Sequence, residues 1–147
     1  MREIIFRGKR IDNGEWVQAA NIIHFNDEGI EQHYYIPKYN ETCVCTHDES
    51  DNIVCVDRGT FYKVIPETVG QYSGLTDKNG TKIFEGDIVR LPYPEHIENF
   101  VCFWDDCNIE FGLKNEKESF GLAYASRDIE VIGNIHDNPE LLGGIGE

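Results

Sequence analysis

The amino-acid sequence predicts a mainly β protein, and three observations carry that prediction. Short apolar runs rich in β-branched and aromatic residues recur about every ten positions. Glycine, asparagine, aspartate or proline separates each run from the next, which is the chemistry of chain reversal. No stretch sustains the apolar period of an amphipathic helix.

Composition narrows the class further. With 147 residues, 40% of them hydrophobic and 12% aromatic, the chain can bury a core in one domain or two small subdomains. There are 27 acidic against 13 basic residues, and the formal charge of −14 repels phosphate backbones and anionic lipid. Direct nucleic-acid binding and attachment to a membrane surface are therefore not expected. No apolar window reaches the length of a membrane span, and Met1–Arg7 lacks the apolar centre of a signal peptide. The cysteines Cys43, Cys45, Cys55, Cys102 and Cys107 are odd in number and sit in strand-like segments, which suits reduced thiols in a cytoplasm.

The first subdomain is placed at residues 1–69. Glu3–Arg7 runs into Gly8–Ile11, and Asp12-Asn13-Gly14-Glu15 turns the chain into Trp16-Val17-Gln18. An Asn-Gly pair between half-apolar runs signals a tight hairpin whose two central residues take positive φ. Asn21–Phe25 and His33–Ile36 read as strands, the second closed by Pro37. Residues 38–57 turn polar, with short strands at Thr42–Cys45 and Ile53–Val56 flanking a loop that has no apolar period. Arg58–Ile65 leads to Pro66, and the boundary follows Val69.

The second subdomain, residues 70–147, is expected to be a small SH3-like β-barrel. Gly70, Gly74, Gly80 and Gly86 sit among turn formers and feed Ile88–Leu91, since glycine reaches positive φ without steric penalty. A Gly-Asp turn at Gly86-Asp87 aims the first barrel strand inward. After the break at Pro92-Tyr93-Pro94, Asn99–Trp104 reads as a strand buried on both faces, and Ile109–Leu113, Ser119–Ala123 and Ile129–Ile132 supply the others. Asn138 is placed as the cap of one helical turn with Pro139 in its first position, and a glycine-rich tail follows.

Two blocks go beyond generic β patterning. Gly70-Gln71-Tyr72-Ser73-Gly74-Leu75-Thr76-Asp77, then Gly80, then Ile83-Phe84-Glu85-Gly86-Asp87-Ile88-Val89 make the first. The second is Glu130-Val131-Ile132-Gly133-Asn134-Ile135-His136-Asp137-Asn138-Pro139-Glu140-Leu141-Leu142. Together with Met1-Arg2-Glu3-Ile4 and Phe6-Arg7, they resemble the YopX family of phage and prophage proteins. The resemblance implies a mostly β chain with an SH3-like barrel, encoded by a phage or prophage and working in a bacterial cytoplasm. It brings no catalytic residues, because the family is one of unknown function. Its signature positions are Gly70, Gln71, Tyr72, Gly74, Asp77, Gly80, Glu85, Gly86, Asp87, Gly133, Asn134 and Pro139.

Candidate sites are few. Cys43, Cys45, His47 and Cys55 are the residue types of a tetrahedral zinc site, and the same spacing describes small apolar side chains facing a core. Glu85 with Asp87, and His136 with Asp137, carry acid–base residue types without a nucleophile elbow or phosphate loop beside them. Asp87 is expected to accept hydrogen bonds from its own turn. Tyr93, between two prolines, is the aromatic expected to meet a partner. The function expected is therefore a non-enzymatic module that binds a phage or host protein and needs no cofactor. The alternatives are an acidic mimic of DNA and a small metal-binding or hydrolytic enzyme. Charge does not single out the mimic, because residues 1–69 hold 12 acidic and 7 basic groups and residues 70–147 hold 15 and 6. Homo-oligomers are expected wherever strand edges stay open.

Overall fold

A computed structural model describes residues 2–27, 31–37, 45–47, 49–50, 53–55, 61–93, 96–125 and 127–143. They form a mainly β chain of short strands with three single 3-10 turns. The chain divides into two compact units, Ile4–Val69, and Gly70–Glu147 together with Met1–Glu3.

In the unit 4–69, β1 (Phe6–Lys9) and β2 (Trp16–Ala19) pair antiparallel, with Phe6 opposite Ala19 and Lys9 opposite Trp16. The connection is wider than the two-residue turn expected from Asn13-Gly14. Gly14 is left-handed at φ 73°, but Asn13 is not; its side-chain Oδ1 accepts the Glu15 N–H at 3.0 Å instead. An asparagine side chain that caps the backbone two residues on removes the need for its own φ to turn positive. β3 (Ile23–Asp27) pairs with β4 (Glu31–Pro37), and β4 with β7 (Phe61–Val64). β5 (Cys45–His47) and β6 (Ile53–Cys55) form a separate two-stranded ladder within the polar segment. Ala19, Ile36 and Val64 are buried together, with Val17, Ile22, Tyr34 and Val69 packed against them. A Cβ on Gly8 would stand 2.9 Å from Val64, so only glycine lets β1 come this close. Thr68, in the 3-10 turn Pro66–Thr68, donates to the Ile65 carbonyl and accepts the Lys9 N–H, tying the unit's last turn to β1.

In the unit built on residues 70–147, the glycine-spaced segment contains two strands of its own, β8 (Gly70–Thr76) and β9 (Lys82–Phe84). Tyr72 faces Phe84 and Thr76 faces Lys82 across a register shift, which falls where Gly74 takes φ 91°. β10 (Asp87–Pro92), β11 (Ile97–Asp105), β12 (Glu110–Lys114), β13 (Ser119–Gly121) and β14 (Glu130–Asn134) form an antiparallel sheet in the order β13-β12-β11-β10-β14. Its core gathers Ile83, Val89, Leu91, Phe100, Cys102, Phe111, Leu113, Leu122 and Ile129.

Two expectations change here. No ladder joins β13 to β14 among the described residues, so the sheet is open where a closed barrel was expected. β13 is only three residues long and passes directly into the 3-10 turn Leu122–Tyr124, which leaves little backbone for a closing ladder. β11 is fully buried on one face only: Phe100 and Cys102 are inside, Val101 and Phe103 on the other face are half-buried, and Trp104, on the first face at the strand's end, is exposed.

Candidate functional site

Two carboxylates of the first signature block, Asp77 and Asp87, are taken up by backbone N–H groups. Asp77 is 7% exposed; its Oδ1 accepts the N–H groups of Asn79 and Thr81, each at 2.8 Å, and its Oδ2 accepts that of Val131 at 2.9 Å. Burial pushes the Asp77 carboxyl up, and the three N–H donors outweigh it, holding it below the ordinary aspartate range. Asp87, 3% exposed, accepts the Phe84 N–H at 2.8 Å. Between Glu85 and Asp87, Gly86 takes φ 83°, and its N–H and carbonyl bond to Cys102 and Ile135 of the same unit. Glu85 gives its backbone N–H to the carbonyl of Gln71, and a Cβ on Gly70 would meet the Glu85 carbonyl at 2.9 Å.

The second block is built the same way. Asn134 Oδ1 accepts the N–H groups of His136 and Asp137, and its Nδ2 donates to the Asp137 carboxylate. Pro139 opens a 3-10 turn, Pro139–Leu142, but Asn138 does not cap it with its side chain. The Asn138 Oδ1 faces the Asn134 N–H at 3.4 Å instead. A Cβ on Gly133 would lie 2.6 Å from that oxygen, so glycine makes room for it.

Tyr93 lies at one end of the sheet, stacked on His96 with ring centroids 5.1 Å apart, its hydroxyl 3.4 Å from Glu118. Burial raises the phenol, and the Glu118 carboxylate adds to the shift. Beside it, Glu98 receives Lys117 Nζ at 2.8 Å, Asn115 Nδ2 at 3.0 Å and His96 Nε2 at 3.1 Å. Lys117 foremost, then Asn115, hold the Glu98 carboxyl below its ordinary value against desolvation. The charged segment Lys114–Glu118 thus pins two loops together. Asn115, whose Oδ1 also accepts the Lys117 and Glu118 N–H groups, was the available signal.

At the tip between β11 and β12, Asp105 caps the turn by accepting the Cys107 and Asn108 N–H groups. Ile109 then takes φ 56°, and it is 75% exposed. Trp104, 41% exposed, meets Phe111 edge-on at 5.0 Å. A β-branched residue in the left-handed region is an outlier that no composition rule foretells.

For the zinc candidates, Cys45 and Cys55 are register partners and His47 stands opposite Ile53, while Cys43 lies outside the described residues. No group of three or more metal-ligating side chains occurs among the described residues. No helix among them is long and apolar enough to cross a membrane.

Comparison with known proteins places this geometry. The family model described as YopX protein matches residues 5–143. A crystal structure of protein EF1440 from Enterococcus faecalis aligns with a TM-score of 0.52 and 22% identity, covering 95% of this chain and 98% of that one; the likeness is one of fold. A search of curated proteins finds no match.

Proposed function

We propose, from the premise that this chain belongs to the YopX family, that it is a phage- or prophage-encoded accessory protein that acts by binding another protein. The observation that carries the reading is the tip between β11 and β12. Trp104 and Ile109 are left outside, and Ile109 holds a backbone conformation that costs about 1 to 2 kcal/mol without burying its side chain in return. Strain held at an exposed apolar tip points to contact with a partner. Asp105, Asp106 and Glu110 surround the tip, so the matching surface is apolar with a basic rim.

A non-catalytic role is supported by where the signature carboxylates go. Asp77 and Asp87 are aimed at backbone N–H groups, and Gly86 bends the chain between Glu85 and Asp87, which favours a turn-building use of these carboxylates over an acid–base one. The strand order β14-β10-β11-β12-β13, with a 3-10 turn before the last strand in sequence, supports an SH3-like barrel left open along one seam. The bacterial cytoplasm is the compartment proposed, and Tyr93 lies outside this contact, its ring taken up by His96.

The test is affinity capture from a bacterial lysate with the full chain and with Ile109→Asp, followed by titration of the purified captured protein. The reading predicts a saturable complex that Ile109→Asp weakens about tenfold or more. Equal affinity for both forms, or turnover of a substrate by the isolated chain, would overturn it.

A further inference from the structure

One edge of the five-stranded sheet is closed by the two signature blocks themselves. β14 is the last strand in the order, with β10 on its inner side. Along its outer side, the Ile129 carbonyl accepts the Lys78 N–H at 3.0 Å and the Val131 N–H donates to Asp77 Oδ2 at 2.9 Å. At the far end, the Asn134 carbonyl accepts the Asn138 N–H at 2.8 Å, and the Asn134 N–H faces Asn138 Oδ1 at 3.4 Å. A neighbouring strand would use these same backbone groups, so one carboxylate, one carboxamide and two backbone amides stand where its backbone would lie. Lys78 Nζ, 3.5 Å from Glu130 Oε2, holds the first plug in place, and Gly133 admits the second.

We propose that Asp77 and Asn138 are edge guards: they keep β14 from adding a strand, and the strand they exclude first is β14 of a second copy of this chain. Two antiparallel copies of β14 meet about a two-fold axis, so an unguarded edge closes on itself as a dimer. The inference does not depend on the binding function proposed above. It assigns the signature a purpose that reaches beyond turn formation, because Asp77 sends one oxygen to its own turn and the other to the edge.

That division supplies the test. In Asp77→Asn the side-chain carbonyl still accepts the Asn79 and Thr81 N–H groups, but the amide nitrogen meets the Val131 N–H donor to donor. Wild type and the double variant Asp77→Asn/Asn138→Ala are compared by sedimentation over a concentration series and by hydrogen exchange at the Val131 amide. The expected result is a monomeric wild type, and a variant that dimerises with concentration. The Val131 amide of that variant exchanges roughly tenfold faster when dilute and is protected again when concentrated. A dimeric wild type, a variant that stays monomeric, or unchanged exchange at Val131 would each overturn the proposal. If the double variant does not fold, Asn138→Ala alone is read by the same criteria at the Asn134 amide.

Discussion

The described residues of the two units differ in the core they bury. In the unit of residues 70–147, nine buried apolar side chains form one cluster, and buried aspartates lock the turns around it. In the unit 4–69, three buried apolar side chains form the cluster among the described residues, and half-buried cation–ring contacts lie in its strands, as Lys82 on Tyr72 and Lys114 on Phe103 do in the other unit. Arg7 lies 4.7 Å from the Trp16 ring and Arg10 4.2 Å from that of Tyr62. Such contacts are worth about 0.5 to 1 kcal/mol each where water reaches them, while a buried phenylalanine contributes several times more. The signature thus marks a region where backbone geometry is fixed from inside, by a large apolar cluster and by buried carboxylates.

Core truncations sharpen this contrast most. Phe100→Ala is expected to cost about 4 kcal/mol, from a side chain with no exposed surface, and Val64→Ala about 2 kcal/mol. Denaturant unfolding checks both, and equal losses would erase the contrast. Gly133→Ala comes next, at about 2 kcal/mol, because its Cβ must displace the Asn138 side chain and the end of Leu141. A thermal melt that leaves Gly133→Ala unchanged would show that Asn138 moves aside freely. The smallest effect is assigned to Asp12→Asn. Its ion pair with Arg10 is exposed, and the unfolding midpoint should stay where it is.

The fold was legible wherever a residue has only one use for its backbone. Gly14, Gly74, Gly80 and Gly86 were read as positive-φ positions from their turn neighbours and take that conformation, whereas Gly70, read the same way, opens β8 and is glycine because the Glu85 carbonyl lies against it. Other features were hidden because one residue had two uses. Asn13 and Asn138 carry side chains that cap backbone in more than one geometry, so a tight hairpin and a helix cap gave way to local side-chain bonds. β8 and β9 were obscured because glycine-rich sequence reads as turn, although Gly74 serves there as an irregularity inside a ladder. Of the candidate site, the turn-forming role of Asp87 could be read from sequence, whereas the reach of Asp77 to Val131, 54 residues away, needed the fold. Ile109 had no signal at all, since nothing in its residue type favours φ 56°.

The central claim is that the Asp77 carboxylate, ionised, holds both its own turn and the edge of the sheet. Its folded-state acidity lies below the ordinary aspartate value, so its contribution is complete above that value and is lost as the pH falls through the lower folded one. The direct measurement is hydrogen-exchange protection at the Asn79, Thr81 and Val131 amides, corrected for intrinsic rate, as the pH is lowered below about 4. All three are expected to be protected at neutral pH and to lose protection together, with Phe100 and Cys102 still protected. Loss at Asn79 and Thr81 with Val131 unchanged, or no protection at Val131 at neutral pH, would contradict it.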